Sequence, residues 1–472
     1  MIQERLRPIL EETRPLAERF AAAGHRLYLV GGIVRDLLAD RSLDQPDIDL
    51  TTDARPEQTK ALLNGWADAV WTQGERFGTI GAKKGDRSFE ITTHRAEAYN
   101  PDSRKPAVEF SEGIEADLSR RDFTVNAMAL TLPEPELVDP FDGRSDLLVH
   151  RRLRTPLAPD QSFTDDPLRM LRAARFIAGY GLEPDAALHT SIERQRHRLE
   201  IVSAERIRDE LDKLIVVDDP STGLWFLHDT GLFDEFLPEI PALRLEQDPV
   251  HRHKDVLEHT IAVVANVAAR QPDGTLNTRV RLAALLHDIG KPKTRSVGEH
   301  GVTFHHHEVV GARMARERLT ALRYPTDEVE AISRLVFLHL RFHGYGEGDV
   351  GWTDSAVRRY VRDAGDLLRE LNELTRCDCT TRNERRAKAL ARRMDDLDER
   401  IARLAEQEEL KAIRPELDGN TVMRVLGLSP GPQVGEAMRW LLELRLDEGE
   451  LGEAEATRRL QQWWESGPDR VR

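Results

Sequence analysis

The stretch LYLVGGIVRDLLADRSLDQPDIDL, residues 27–50, decides the fold. An apolar, β-prone run, LYLV, ends in the pair Gly31–Gly32, and IVRDLLAD follows with helical spacing. Backbone N–H groups at a helix start attract phosphate, and glycine lets the phosphate come close. Gly32 is therefore a candidate phosphate contact, with Arg35 on the first helical turn within reach of the same anion. A plain strand–turn–helix junction has the same appearance, so the next segment matters. In PDIDL, Asp47 and Asp49 alternate along a strand and point to one face. Two carboxylates on one face repel unless a cation lies between them, and hard oxygen ligands suit Mg2+. Such a pair fits metal-assisted phosphoryl chemistry, with Asp47 and Asp49 as the catalytic carboxylates. Glu90, in SFEITT, is a possible third carboxylate from another strand; an edge decoration is the alternative.

Working outward, residues 1–23 have the spacing of a short amphipathic helix. The segment from 47 to about 130 mixes strand-like runs (DIDLTT, GTIGAKK, SFEITTH, NAMAL) with polar turns. From about residue 156 the pattern is helical almost to the end, broken at FLPEIPAL (236–243) and DGNTVMRVLGLSPGP (418–432). Residues 381–412 form a highly charged helix. The expectation is an α/β head followed by mostly α-helical parts: 1–153, 154–245, 246–385 and 386–472. Over 472 residues, 40% are hydrophobic and 32% charged, an ordinary globular composition. No run approaches the ~18 apolar residues of a membrane span, and the charged N-terminus carries no apolar signal core. Two cysteines, Cys377 and Cys379, frame no disulfide scaffold. A cytoplasmic protein with no membrane partner is expected, its oligomeric state left open. The net charge of −15 argues against a nucleic-acid partner, but distribution counts for more than the sum. Residues 151–208 carry eleven Arg and no Lys against eight Asp or Glu. Arg382, Arg385, Arg386, Lys388, Arg392 and Arg393 make a second cluster. Guanidinium forks match phosphate oxygens, although solvated helix faces look alike in sequence.

DDPLRMLRAARF, residues 165–176, is the most informative helix. Asp166 before Pro167 reads as an N-cap followed by proline at the first position. Asp166, Arg169, Arg172 and Arg175 then recur every third residue along one side, drifting gradually. The bland reading is a cap plus solvated arginines. The functional one follows from hydrogen-bond logic. Cytosine and adenine both present an amino donor beside a ring-nitrogen acceptor. A carboxylate accepts from the first and a guanidinium donates to the second, so Asp166 with Arg169 accepts C or A. Uracil and guanine offer a carbonyl oxygen there and are rejected.

Farther on come HKDVLEHT (253–260), LLHDIGK (285–291), FHHHEVVG (304–311), FLHL (337–340) and CDCTTRN (377–383). Imidazole and carboxylate together suit a transition metal, Mn2+ or Mg2+. A helical body that holds no metal and only grips RNA is the alternative.

These segments carry two resemblances. LVGGIVRDLL with DIDLTTDARP, then RRDFTVNAMAL at 120–130, then DDPLRMLRAARF are similar, in order, to the signatures of class II nucleotidyltransferases. That family comprises CCA-adding tRNA enzymes and bacterial poly(A) polymerases. The likeness covers roughly residues 25–235. It implies Mg2+ at Asp47 and Asp49, CTP and ATP as nucleotides, and tRNA as partner. It also implies a protein template at Asp166 and Arg169, with Arg172 and Arg175 steadying triphosphate or helix. Arg121 would contact the nucleotide, and Asp122 and Asn126 would orient neighbouring groups or the sugar. The family's usual Glu is Asp165 here, so no role is carried over to it. HRAEAYNPDSRKP (94–106) resembles the family's flexible loop, which favours full CCA addition. The order H…HD…H…H…D resembles the HD phosphohydrolase superfamily. It implies one divalent metal, of open identity, on His259, His287, Asp288 and Asp378. His307 and His339 would take a second, His305 and His306 competing for that alignment. The helices of 386–472 resemble the tRNA-gripping tail of HD-bearing members. The alternatives are a poly(A) polymerase, an HD phosphohydrolase with a nucleotide-sensing head, or a pure RNA-binding protein; the last leaves the paired carboxylates unexplained.

Overall fold

The computed structural model describes residues 2–42, 47–98, 107–111, 113–245, 255–268, 270–271, 274, 276–298, 301–344, 352–380, 383–407 and 413–466. The chain divides into two compact units, Met1–Pro238 and Glu239–Arg472.

In the first unit, helix α1 (Ile2–Ala22) buries Leu6, Ile9, Thr13, Leu16 and Phe20 at spacings of three and four residues. The sheet that follows is mixed. Its strands are β1 (Leu27–Val30), β2 (Ile48–Thr52), β3 (Ala69–Trp71), β4 (Thr79–Lys84), β5 (Arg87–Thr93), β8 (Ala129–Leu132) and β9 (Leu137–Val138), with β6 (Arg95–Ala98) and β7 (Ala107–Phe110) a separate pair. The spatial order is β3-β4-β5-β2-β1-β8-β9. Strand β1 is antiparallel to both its neighbours, and β2 lies parallel to β5. Both faces of β1 are buried, which matches its unbroken apolar run. Tyr28 and Val30 pack with Ile114, Leu118, Ala127 and Ala129 on one of them. Helix α2 (Gly32–Leu38) leaves directly from the end of β1, as the glycine pair predicts.

Beyond the head come α3 (Pro159–Asp165), α4 (Leu168–Tyr180) and α5 (Ala204–Ile215). The helix α4 begins at Leu168, a residue later than the Asp-Pro reading places it. Asp166 has extended backbone and closes α3, yet its Oδ1 still accepts the Leu168 N–H at 3.2 Å. The capping chemistry is as expected and the boundary shifts.

Among its described residues the second unit is helical apart from one hairpin and an isolated bridge between Arg270 and Leu276. It includes α6 (Val256–Asn266), α7 (Thr278–Leu286), strands β10 (Arg295–Gly298) and β11 (Gly301–Phe304), α8 (His307–Ala321), α9 (Thr326–Leu338), α10 (Leu368–Cys377) and the charged α11 (Glu384–Gln407). Val280 through Leu286 are all buried, so α7 is the central helix of this unit. The last three helices, α12 (Gly419–Leu426), α13 (Pro432–Glu448) and α14 (Glu453–Glu465), share a small core of Leu417, Val422, Ala437, Leu441, Ala456 and Leu460.

Candidate active site and metal centre

The head's carboxylates meet at the joint of two parallel strands. Asp49 on β2 lies opposite Glu90 on β5, and both side chains face outward between buried neighbours. Asp47 precedes β2 by one residue and is exposed. Gly31 stands beside Asp49. A Cβ placed on it would lie 3.2 Å from Nη1 of Arg121 and 3.6 Å from Oδ2 of Asp49. Gly31 also has φ +75°, which side-chain-bearing residues avoid. Arg121 therefore leans over the turn toward the carboxylate. Its Nε is buried with no hydrogen-bond partner among the described residues. Although Asp49 is open to solvent at its tip, burial of its surroundings pushes its carboxyl up to about 6; Arg121 opposes the shift, and Glu90 and Asp47 add to it. A carboxylate so crowded by its own kind is one a cation would relieve.

Behind this cluster runs a buried polar chain. Asp122 accepts from the Phe123 N–H at 2.9 Å and the Asn126 amide at 2.9 Å, and its other oxygen takes the Arg172 fork, Nε at 2.8 Å. Burial alone would raise its pKa, but Arg172 and Asn126 hold the carboxyl well below the usual range. Asn126 Oδ1 accepts in turn from Arg35 Nη1 at 2.6 Å. The remaining Arg35 nitrogens grip Asp36 at 2.9 and 2.8 Å, and Tyr180 donates to the same carboxylate at 2.7 Å. All three guanidinium nitrogens of Arg35 are thus engaged, and the residue is buried. The guanidinium expected to meet a phosphate is here shared between Asn126 and Asp36. Gly32, at the helix start beside it, keeps its place in the turn.

The residues expected to read the base, and the arginines that follow them, diverge from Asp166 along α4. Asp166 takes Arg206 of α5 on both oxygens, at 3.3 and 3.0 Å. Arg169 donates to Ser162 Oγ at 2.8 Å and to the carbonyl of Arg120, next to Arg121. Arg172 goes to Asp122, and Arg175 to the buried Glu210 of α5. The three-residue spacing drifts about 60° per step, so successive arginines reach different neighbours. Of the two roles expected for Arg172 and Arg175, the contacts are those of helix geometry. Arg206 and Glu210 escaped the sequence reading; their spacing of four on one face of α5 was the available signal.

In the second unit six residues converge. His259 Nε2 lies 2.9 Å from Asp378 Oδ1, 3.3 Å from His287 Nε2 and 3.7 Å from Asp288 Oδ2. His287 Nε2 is 3.1 Å from the same Asp288 oxygen. The other oxygen, Oδ1, faces His307 Nε2 at 3.4 Å and His339 Nε2 at 3.9 Å. Asp288 therefore bridges two groups of donors. His307, and not its exposed neighbours His305 and His306, turns inward. Gly290 explains the closeness: a Cβ there would stand 2.2 Å from the His307 carbonyl, so only glycine lets α8 begin beside Asp288. His287, His307 and His339 each bond a carbonyl three residues back through Nδ1, at 2.7, 2.8 and 2.7 Å. With Nδ1 donating to a carbonyl, a neutral ring presents its Nε2 lone pair, the tautomer a metal needs. The His307 and His339 Nε2 atoms stand 3.3 Å apart, an arrangement of two facing lone pairs that a cation between them would satisfy. Burial, then His287, pushes His339 down to about 4, keeping it neutral and able to ligate. His259 is held through Nδ1 by Thr380 at 2.8 Å, and Lys291 approaches Asp288 at 2.6 Å. Thr380 and Lys291 were missed as contributors, although both lie inside the quoted motifs. The donor set fits divalent metal on both sides of Asp288.

Three domain families match the chain. They are the poly(A) polymerase head domain over 27–154, a probable RNA- and SrmB-binding site of polymerase A over 181–243, and the HD domain over 256–409. An A-adding tRNA nucleotidyltransferase of Deinococcus radiodurans is 34% identical over 93% of this chain and 96% of its own length. A CC-adding tRNA nucleotidyltransferase of Thermus thermophilus is 31% identical over 93% and 94%. A CCA-adding enzyme of Streptococcus suis is 37% identical over 49% and 55%. Among solved structures, the CCA-adding enzyme of Bacillus stearothermophilus in complex with CTP superposes with a TM-score of 0.70 at 23% identity, covering 97% of each chain; it shares the fold. On the whole-length likeness, this chain belongs to the family of tRNA nucleotidyltransferases, metal-dependent enzymes with a poly(A) polymerase-type head.

Proposed function

We propose that the protein adds C, C and A to the 3′ end of tRNA in the cytoplasm, using CTP and ATP and no nucleic-acid template. The observation that carries this reading is the junction of Asp49, Glu90 and Arg121 around Gly31, with the Asp122–Arg172 pair tying it to α4. Asp47 and Asp49 would hold Mg2+, with Glu90 beside them; the ion, when bound, activates the attacking hydroxyl and steadies the departing phosphate. The tRNA 3′-oxygen attacks the α-phosphorus, the bond to the β-phosphate oxygen breaks, and pyrophosphate leaves. Arg121 lies where it can meet the nucleotide's phosphates, and the N–H groups after Gly31 add their dipole. Asp166 accepts the base's amino group while Arg169 donates to its ring nitrogen. Each must give up its present partner, Arg206 or the Arg120 carbonyl. The four-part division at 153, 245 and 385 is retained as head, neck, HD part and tail. The loop expected to favour the third addition has residues 99–106 outside those described. In the second unit His259, His287, Asp288 and Asp378 would hold one divalent metal and His307 with His339 another, giving a centre suited to phosphoester hydrolysis.

A second reading is addition of the terminal A alone, favoured by the whole-chain match to the A-adding relative. One assay separates them. Purified protein with Mg2+ is given tRNA ending before CCA, and tRNA ending in CC, with CTP and ATP singly and together. Growth by three residues that needs both nucleotides is expected. Extension only of the CC-ended tRNA by ATP establishes A addition, and a long tail from ATP alone establishes a poly(A) polymerase. No extension overturns the assignment.

A further inference from the structure

In the second unit, helices α8 and α9 enclose an open groove of about 390 Å³ lined by Ala312, Arg313, Arg316, Glu330, Ser333, Arg334 and Phe337, none of them a candidate metal ligand. On α9 the lining residues fall at steps of three and four, so they form one stripe. Three properties single the groove out. It is cationic: Arg316 pairs with Glu330, which leaves Arg313 and Arg334 in excess. Arg313 is exposed and belongs to no ion pair among the described residues. It has an aromatic wall: the Arg334 guanidinium sits 5.5 Å from the centroid of Phe337, with Arg341 at 5.7 Å. And it holds an unspent hydroxyl: Ser333 is only 3% exposed, and its Oγ has no hydrogen-bond partner among the described residues. A buried serine in mid-helix ordinarily bonds a carbonyl one turn back.

We propose that this groove is a nucleotide-binding site, built from residues that belong neither to the head nor to the candidate metal groups. Arginine forks and a hydroxyl together satisfy a phosphate, and bases stack on aromatic and guanidinium planes. Arg313 and Ser333 take the phosphate, and Phe337 with Arg334 forms the platform for the base. A free mononucleotide and one nucleotide of an RNA strand present the same chemistry, so the test carries both.

The full chain is incubated with AMP, with inorganic phosphate, or with a tRNA transcript ending before CCA. Amide exchange is followed over 311–320 and 330–338. AMP should slow exchange in both segments, and Arg313→Ala should weaken that effect about tenfold. Ser333→Ala should act in the same direction, and tRNA extension should persist in both variants. Protection by tRNA but not by AMP assigns the site to RNA; protection by AMP assigns it to free nucleotide; either supports the proposal. Protection by phosphate as strong as by AMP overturns the base platform. No protection by any probe, or protection that Arg313→Ala leaves unchanged, overturns the site. The head's assignment stands apart, since extension is read in the same samples.

Discussion

Gly31 combines a left-handed backbone with a neighbour 3.2 Å from where a methyl would go. The backbone cost to an alanine is ~1–2 kcal/mol, which a unit of this size tolerates. The displacement of Arg121 and Asp49 is what counts, because misplacing reacting groups by about 1 Å costs on the order of a hundredfold. Gly31→Ala is expected to lower single-turnover extension by about that factor. Urea unfolding should shift by no more than ~1–2 kcal/mol. Asp122 makes the opposite case, a residue whose loss is felt in stability. It is buried and paired with Arg172, and breaking such a pair by Asp122→Ala costs about 3–5 kcal/mol. Its carboxyl is held below the ordinary carboxylate value of about 3.8 in the folded protein, despite burial, because Arg172 and Asn126 favour the charged form. The stabilisation it gives is thus present above about 3.8 and is lost as pH falls from there toward the depressed native value. Acid unfolding of the first unit should show this loss in the wild type. In Asp122→Asn that slope should be missing, and an unchanged slope would remove Asp122 from the account.

At the scale of elements, helix α4 is held to α5 by two pairs of opposite polarity, Asp166 with Arg206 and Arg175 with Glu210. The first is accessible, with Arg206 53% exposed, so it adds little to stability, within ~1 kcal/mol. Under the proposed template role, it would aim the Asp166 carboxylate. Arg206→Ala should leave the melting temperature within a few degrees of wild type and raise incorporation of UTP or GTP relative to CTP and ATP. Unchanged nucleotide choice would show that Asp166 needs no partner. These pairs also mark where sequence reading stops. The strand–glycine–helix joint and the DxD at the start of β2 are local patterns, legible as such, and the histidine order was read from a resemblance. What local pattern cannot give is the partner supplied by a distant element. The i, i+3 ladder on α4 suggested a single arginine face, whereas Asp122, Glu210 and Arg206 draw its members apart. Arg35 is the same case: its RD dipeptide and Asn126 were each visible, but not that the two meet across ninety-one residues. The inward turn of His307 depended on Gly290, whose need for close approach only packing reveals.

On the scale of the whole molecule, the carboxylates around Asp49 belong to one compact unit, and the two candidate metal groups that share Asp288 belong to the other. Their chemistry should therefore separate by mutation. Ligand that binds only the folded form stabilises it by RT ln(1 + [L]/Kd), about 2.7 kcal/mol at a hundred times Kd. Saturating Mn2+ should raise the melting transition of the second unit accordingly, and EDTA should reverse it. His287→Ala should abolish that shift, since it removes a candidate ligand whose Nε2 lies 3.1 Å from Asp288 and 3.3 Å from His259. The same variant should still extend tRNA. Asp49→Ala should do the reverse, losing extension and keeping the Mn2+ shift. Loss of both properties in either variant would mean that the units share one functional centre, and the division of labour argued from their side chains would fall.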